Sequence, residues 1–192
     1  VNIGAEKPED CGYYFWWGDT VGYKYKNDKW VATDGSSSNY SFKNSNTPTY
    51  NKDISTLRKE GWITSNNVLA PKHDAAHVKW GGNWRMPTEQ EFEDLISKCD
   101  WTRIWLDENH HRSYYVVRGR GAYASNSIIL PFGGFGMNDY RSVFEMTGHY
   151  WSSTIGPDED DSAMQLEATY RRVVRGDVWV GYPIRPVQSA TK

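Results

Sequence analysis

Aromatic residues constrain this sequence more than any other feature. The chain has 192 residues, including 10 Trp, 13 Tyr and 6 Phe, so that aromatic residues make up 15% of it. A hydrophobic content of 38% and a mean hydropathy of -0.76 would on their own be compatible with disorder. Disordered chains are poor in aromatic residues because they bury no side chains. The sequence therefore predicts a folded protein whose core is built from flat rings more than from aliphatic side chains.

Length and charge exclude several classes of protein. A chain of 192 residues fits a single domain, 1–192, with enough length to bury a core. The formal net charge of -2 lacks the basic excess of a nucleic-acid-binding protein. No apolar run approaches the length of a membrane-spanning helix, so no transmembrane segment is expected. The sequence opens on Val1 without a Met or an apolar leader, and we interpret it as a mature or trimmed form.

Helix signals occur in two segments. Pro71–Trp80 carries a short apolar face, and the following glycine pair is expected to end that helix. Thr88 and Glu91 have the spacing of a capping box, with Thr88 as the N-cap. Apolar residues then follow at helical spacing up to Cys99. The second segment predicts a helix from about Glu89 to Cys99.

The part of the chain after Asp100 has the pattern of short strands separated by turns. The predicted strands are Ser113–Val117, Ser127–Leu130, Tyr150–Ser153, Met164–Tyr170 and Val178–Ile184. Polar and apolar residues alternate strictly in Met164–Tyr170, which predicts that its even-numbered residues face the core and its odd-numbered residues face solvent. The polar stretch 34–51 is predicted to be a long surface loop.

Several sequence blocks resemble the Fibrobacter succinogenes major paralogous domain, a family of exported bacterial surface modules. The most specific block is WGGNWRMPT at Trp80–Thr88, which follows Asp74-Ala75-Ala76 and precedes Cys99-Asp100-Trp101-Thr102. The other matching blocks are Asn2–Ala5, Gly12–Phe15, Trp17–Thr20, Ser127–Pro131, Gly133–Phe135, Tyr150–Thr154 and Gly181–Val187. Together they span nearly the whole chain.

The resemblance implies a fold, a location and a covalent link. The fold would be α+β and C-type lectin-like, with two helices, a small twisted antiparallel sheet and long irregular loops. The location would be extracellular or on the outer-membrane surface, as a secreted module or lipoprotein. Cys11 and Cys99 would be free thiols in the cytosol, whereas in an exported module we expect them to form a disulfide.

The predicted ligand surface is the outward face of the C-terminal hairpin. Related modules at pilus tips, and those diversified by retroelements, carry their changeable binding residues in this part of the chain. The predicted ligand-binding residues are Gln165, Glu167, Thr169, Arg171, Arg172, Arg175, Asp177 and Trp179. Trp and Arg are the residue types that contribute most to interfaces. The alternative is that Trp179 packs beneath the 34–51 loop and the arginines only solvate the sheet.

These features predict a non-enzymatic, adhesin-like module that binds a glycan or a protein on another cell or host surface. The alternative is a structural tip or stalk subunit that contacts only neighbouring subunits of a surface appendage. No GxSxG motif or paired cysteines indicate an enzyme, and we expect no cofactor and no nucleic-acid partner. The Trp80–Thr88 block is interpreted as scaffold, with Trp80, Trp84 and Trp151 in the folding core.

Three further motifs have simpler interpretations than a functional site. His73 and His77 have the spacing of two metal ligands on a helix, but no third ligand is placed by the sequence, so no metal is predicted. The acidic run Asp158–Asp161 suits Ca²⁺, although a solvated loop is the favoured interpretation. Arg175-Gly176-Asp177 spells the integrin-binding tripeptide and is interpreted as an ordinary turn.

Overall fold

The computed structural model describes residues 1–107, 112–157 and 161–189. Within these ranges the α-helices are α1 Ile54–Lys59, α2 Ala75–Trp80 and α3 Glu89–Lys98. The strands of the described residues are β1 Tyr23–Lys26, β2 Lys29–Ala32, β3 Trp84–Arg85, β4 Asp100–Trp105, β5 Ser113–Arg118, β6 Ser127–Pro131, β7 Phe135–Met137, β8 Tyr140–Ser142, β9 His149–Ile155, β10 Ser162–Glu167, β11 Arg172–Asp177 and β12 Val187–Gln188. None of the helices in the described part has the length and apolarity needed to cross a bilayer.

The strands form five small antiparallel sheets instead of one. Two sheets have three strands, in the orders β11-β10-β9 and β4-β5-β6, and the pairs β1-β2, β3-β12 and β7-β8 complete the set. The chain is therefore mostly β, with three short α-helices in its described part. The predicted α+β, C-type lectin-like fold with two helices and a single small sheet is wrong. Apart from β3 and β12, each strand pairs with its neighbour in the chain, so the short strands build several small sheets in place of one larger sheet.

The helix beginning at Thr88 is confirmed in its start and closely in its extent. Thr88 Oγ1 accepts the backbone N–H of Glu91 at 3.3 Å, and Glu91 Oε2 accepts the backbone N–H of Thr88 at 2.9 Å. Both bonds of the capping box are therefore formed. The other predicted helix is divided, because Pro71–His73 is a 3₁₀ turn and α2 begins only after Asp74. α1 was not predicted, since six residues carry almost no periodic signal.

The buried side chains form three clusters. The first surrounds Trp17 and Trp151 and takes residues from almost the whole length of the chain. The second is aromatic, and its buried members are Tyr14, Trp16, Tyr23, Trp30, Ala32 and Phe42. The third lies beneath α3 and contains Phe92, Val117, Leu130, Tyr150, Leu166 and Ala168. A core rich in aromatic rings is thus confirmed.

The stretch 34–51 is not purely a surface loop. Phe42 is fully buried in the second cluster, and Tyr40 stacks on Tyr23 with ring centroids 3.9 Å apart. Polar neighbours conceal these two rings in the sequence. The stretch therefore anchors itself to the core, and the prediction of a surface loop is wrong at these positions.

The predicted faces of Met164–Tyr170 are confirmed only in part: Met164, Leu166 and Ala168 are buried as predicted, but Tyr170 is exposed and Gln165 is buried. β10 ends at Glu167, and Ala168–Tyr170 forms a 3₁₀ turn before Arg171, whose φ is 50°. β10 lies in the middle of its sheet, and its two faces contact different clusters: Ala163 belongs to the first and Leu166 to the third. A strand covered on both faces has no solvent-facing side.

The second predicted strand of the hairpin, Val178–Ile184, does not form a strand, and that prediction is wrong. The partner of β10 is β11, with Glu167 opposite Arg172 and Ser162 opposite Asp177. The Val178–Ile184 segment instead passes through the first cluster, where its even-numbered residues are buried as predicted. Trp179 is half-buried and packs against the same cluster. The segment is covered on both sides, so alternation does not expose its odd-numbered residues.

Cys11 and Cys99 are both free thiols, so the predicted disulfide is not formed in the structure. Cys11 packs against the second cluster, whereas Cys99 is the C-terminal cap of α3 and packs against the third. A disulfide requires Cβ atoms about 4 Å apart. The two thiols are kept apart because their segments belong to different clusters.

Candidate functional site

The structure does not gather the eight predicted ligand-binding residues into one surface. Gln165 is buried, and its Oε1 lies 3.1 Å from Nδ1 of His149. Thr169 Oγ1 accepts the backbone N–H of Gly148 at 3.0 Å, so its hydroxyl supports the turn. Trp179 packs on the first cluster. At least these three side chains serve the fold, and the prediction that they face a ligand is wrong.

The remaining predicted residues are exposed or form ion pairs, and they lie at different ends of the hairpin. Glu167 and Arg172 form an ion pair at 2.6 Å, next to the exposed Arg171. Arg175 and Asp177 lie further along β11, and at about 3.3 Å per residue Asp177 is about 17 Å from Arg172. The Arg175-Gly176-Asp177 tripeptide lies within β11, so its interpretation as a turn is wrong.

A different site is a cleft of about 380 Å³ beside α2 and β3. Its lining includes the apolar residues Leu69, Pro71 and Met86, the ring of Trp84, and the polar side chains of His77 and Asn83. A volume in this range and a mostly apolar lining with a few polar groups are typical of small-molecule sites. This cleft is the candidate functional site.

Asp74 holds one side of the cleft together. Its Oδ1 accepts the backbone N–H groups of Ala76 at 2.9 Å and His77 at 3.0 Å, which makes it the N-cap of α2. Its Oδ2 accepts the backbone N–H of Met86 at 2.9 Å. Burial raises the pKa of Asp74, and these backbone donors oppose that increase. The carboxylate is therefore occupied by the fold.

The glycine pair after α2 sets the position of Trp84. Gly81 and Gly82 have φ values of 67° and 55°, a conformation that L side chains rarely adopt. The turn brings Trp84 back to Trp80, and the two rings meet edge to face with centroids 4.7 Å apart. Both tryptophans are only half-buried. The prediction that they belong to the folding core is wrong, whereas the same prediction is confirmed for Trp151, which is fully buried.

Arg85 is a second charged side chain of the lining, and it forms an ion pair within the chain. Its guanidinium binds both carboxylate oxygens of Glu91, at 2.7 and 2.6 Å, and its Nε donates to Ser189 Oγ at 2.8 Å. The hydrogen bonds that Arg85 donates to Glu91 lower the pKa of the Glu91 carboxyl group and raise the pKa of the Arg85 guanidinium. The pair therefore stays ionised and ties β3 to α3.

His77 and Asn83 differ from these residues. Among residues 1–107, 112–157 and 161–189, neither side chain has a hydrogen-bond partner within the protein, although their backbone groups are bonded. An imidazole and a primary amide can each donate and accept. They are the polar side chains of this cleft that remain available to a ligand.

The motifs considered for metal binding do not form a metal site in the described ranges. His73 stacks on Trp62, with ring centroids 3.8 Å apart, while His77 lines the cleft. No group of three or more His, Cys, Asp or Glu side chains there could hold a metal ion. Of the acidic run Asp158–Asp161, residues 158–160 lie outside the described residues.

The fold and cleft define a mostly β protein with a site of small-molecule size. Comparison with known proteins adds no family: no family profile matches the chain, and neither a curated protein nor a solved structure is significantly similar to it. The resemblance to the Fibrobacter succinogenes major paralogous domain therefore depends on the sequence blocks alone and stays a prediction.

Sequence reasoning considered the residues of the cleft and interpreted them as scaffold. That interpretation is correct for Gly81 and Gly82, which form the turn after α2, and for Arg85, which bonds Glu91. Missing from the sequence was any sign that Trp84 and Asn83 would border a cavity together with His77. The one available signal was the presence of two tryptophans and an asparagine within five residues, at Trp80, Asn83 and Trp84.

Proposed function

We propose that this protein is a non-enzymatic recognition module that binds an uncharged carbohydrate in the cleft beside Trp84. One observation carries the proposal. The cleft places a tryptophan ring and an apolar lining beside His77 and Asn83, while Asp74 and Arg85 are occupied by bonds within the chain. The site therefore offers an apolar surface and neutral hydrogen-bonding groups.

Carbohydrate chemistry matches these groups. A pyranose ring has one face of C–H groups that packs on an aromatic ring, and its hydroxyls both donate and accept hydrogen bonds. The Asn83 amide and the His77 imidazole can each donate a hydrogen bond to such hydroxyls and accept one from them. In the described part of the chain, the charged groups of the lining, Asp74 and Arg85, are already bonded within the protein and offer no free ion to a charged ligand. An uncharged sugar is accordingly the ligand class that we propose.

The chemistry of the charged groups supports binding without catalysis. The Asp74 carboxylate accepts three backbone N–H groups, so abstracting or donating a proton would release the start of α2 and Met86. The carboxylate of Glu91, outside the lining, is bound to both nitrogens of the Arg85 fork. Glycoside hydrolysis needs two carboxyl groups that can exchange protons. These two are committed to structure.

A glycan array followed by calorimetry tests the proposal. The wild-type protein should bind one or more neutral glycans, and Asn83→Ala should weaken that binding at least 10-fold without changing the melting temperature, because Asn83 is exposed. Asn66→Ala is the matched control, an exposed asparagine outside the lining, and it should bind like wild type. His77→Ala should weaken binding to a similar extent.

Two results would overturn the assignment. If no neutral glycan binds, or if Asn83→Ala and His77→Ala both bind like wild type, the cleft is not the carbohydrate site. Absence of glycan binding together with co-purification of surface-appendage subunits would favour the structural tip or stalk role.

The location and family belong to the same proposal. We propose an exported, adhesin-like protein on the cell surface that meets its carbohydrate on another cell or host. The support is the resemblance of the sequence blocks to those of exported bacterial surface modules. Protease shaving of intact cells, followed by detection of peptides from this chain, tests the location. A protein found only after lysis would contradict it.

A further inference from the structure

A second pocket borders the aromatic second cluster and has a different chemistry. Its volume is about 300 Å³, and its lining includes Tyr13, Tyr25 and Phe144 together with Lys24, Arg112 and Arg141. The lining thus combines aromatic rings with cations. We propose that this pocket binds the carboxylate group of a small ligand, and that the Arg141 guanidinium is its main contact.

Arg141 is fixed in place by rings instead of by a carboxylate. Its guanidinium carbon lies 3.3 Å from the centroid of Phe144 and 5.3 Å from that of Tyr25. Among the described residues no Asp or Glu lies within ion-pair distance of it. Stacking uses the flat faces of a guanidinium and leaves the N–H groups at its edge for hydrogen bonding. One of these groups interacts with the Tyr14 hydroxyl, and the others can bind a carboxylate.

The other cations of the pocket are arranged differently. Lys24 Nζ lies 5.0 Å from the ring centroid of Tyr13, and it too has no carboxylate partner in the described part of the chain. Arg112, in contrast, forms an ion pair with Glu145 at 2.7 Å. Of the cations that line the pocket, Arg141 and Lys24 are therefore the two without a carboxylate partner among the described residues.

The buried groups beside Arg141 do not cancel its charge. Burial raises the pKa of the Cys11 thiol to about 11 and the pKa of the Tyr14 hydroxyl well above its usual value. Both groups are consequently uncharged at neutral pH. Glu9 and Asp10 also border the pocket, but they are exposed, so water and salt screen them more than the half-buried guanidinium.

An NMR titration with small carboxylates tests the assignment. The probes are sodium D-glucuronate and N-acetyl-L-alanine, each paired with a neutral counterpart, D-glucose and N-acetyl-L-alaninamide. Saturable shifts of the Tyr25, Arg141 and Phe144 amides are expected with at least one carboxylate and with neither neutral compound. Glucuronate alone would indicate a sugar acid as the source, and N-acetyl-L-alanine alone a peptide carboxyl terminus.

Variants of Arg141 distinguish a requirement for its guanidinium group from a requirement for any positive charge. Arg141→Lys keeps the charge and loses the fork, and it should weaken binding at least 5-fold, while Arg141→Gln should remove it. Lys24→Gln alters an exposed side chain and should weaken binding several-fold without affecting the fold. Arg58→Gln is the control, an exposed arginine outside the pocket that bonds Asn67.

Some outcomes would overturn the proposal independently of the neutral-carbohydrate site. Equal shifts from the neutral compounds, no shift from either carboxylate, or wild-type affinity in both Arg141→Gln and Lys24→Gln would each do so. Asn83→Ala, which lies in the other cleft, should leave carboxylate binding unchanged. Loss of carboxylate binding in Asn83→Ala would show that the probe occupies the Trp84 cleft instead.

Discussion

Asp74 binds the backbone of Met86, twelve residues further along the chain, through Oδ2 at 2.9 Å, while its Oδ1 caps α2. Asp74→Ala should leave three buried or half-buried N–H groups without an acceptor, and we expect a loss of about 3 kcal/mol or more in the free energy of unfolding. Urea denaturation measures this loss. The matched control is Asp53→Ala, because Asp53 is an exposed N-cap that bonds only its own helix, and it should lose about 1 kcal/mol. Equal losses would contradict the bridging role of Asp74.

Two tryptophans should differ in their contribution to stability. Trp151 is fully buried, and its Nε1 donates to the backbone oxygen of Phe15 at 2.8 Å. Trp151→Ala is expected to reduce the free energy of unfolding by about 3–5 kcal/mol, whereas Trp84→Ala at the half-buried cleft position should lose roughly half as much. Guanidinium denaturation of the two variants compares them. A larger loss of unfolding free energy in Trp84→Ala than in Trp151→Ala would show that Trp84 belongs to the folding core.

The thiol of Cys11 should react slowly in the folded protein. Its pKa of about 11 leaves roughly one molecule in a thousand as thiolate at pH 8, whereas an unfolded cysteine with a pKa near 8.5 is about one-quarter thiolate. In a Cys99→Ser variant, iodoacetamide should label Cys11 at least 100-fold more slowly without urea than with it. The wild-type protein should carry two alkylatable thiols. Non-reducing mass spectrometry that finds one disulfide would contradict the structure.

Asp19 should make stability depend on pH below neutrality. Burial raises its pKa to about 6 from the usual 3.8, even though Val21 N–H donates to its Oδ1 at 2.9 Å. Because the folded state holds this proton more tightly than the unfolded state, the protein gains stability as pH falls from about 6 toward 4 and loses it again as pH rises. The full gain of about 3 kcal/mol is reached only below the unfolded pKa of 3.8. Above pH 6 the buried Asp19 carboxylate is ionised and contributes no such gain.

Asp19→Asn isolates this effect from the other titrating groups. The variant should lack the Asp19 contribution, so the difference in unfolding free energy between it and wild type should change by about 2 kcal/mol between pH 7.5 and pH 4.5. Urea titrations at the two pH values give this difference. A difference that stays constant with pH would show that Asp19 has an ordinary pKa in the folded protein.

Structural features that depend on neighbouring residues were predictable from the sequence, whereas features that depend on contacts between distant segments were not. The capping box of Thr88 and Glu91 is visible in the sequence because both bonds close within four residues. Gln165 has the alternation of a surface residue, yet it is buried because β9 and β11 flank it and the first cluster covers its face. Nothing within β10 itself indicates those neighbours. The same limit explains the wrong placement of Trp179.

The candidate site shows a similar division. The turn at Gly81-Gly82 and the N-cap at Asp74 follow from local chemistry, and both help to shape the cleft. The cleft itself needs Leu69, whose backbone N–H donates to Ser153 on β9 at 2.9 Å, and that contact spans more than 80 residues. The periodicity of polar and apolar residues along the sequence does not indicate such a contact. Sequence alone could therefore identify the Trp80–Thr88 block as important without showing that it borders a cavity.

Two reciprocal bonds join the beginning of the chain to its later part. Trp17 Nε1 donates to Ser152 O at 3.0 Å, and Trp151 Nε1 donates to Phe15 O at 2.8 Å, while Ile3 N–H donates to Ile184 O at 3.1 Å. The first segment therefore cannot complete its packing until residues near the other end of the described chain are available. Contacts of such long sequence separation favour slow folding, in milliseconds to seconds. The chain is consequently most exposed to aggregation before these contacts form, and a chaperone that holds aromatic segments would act at that stage.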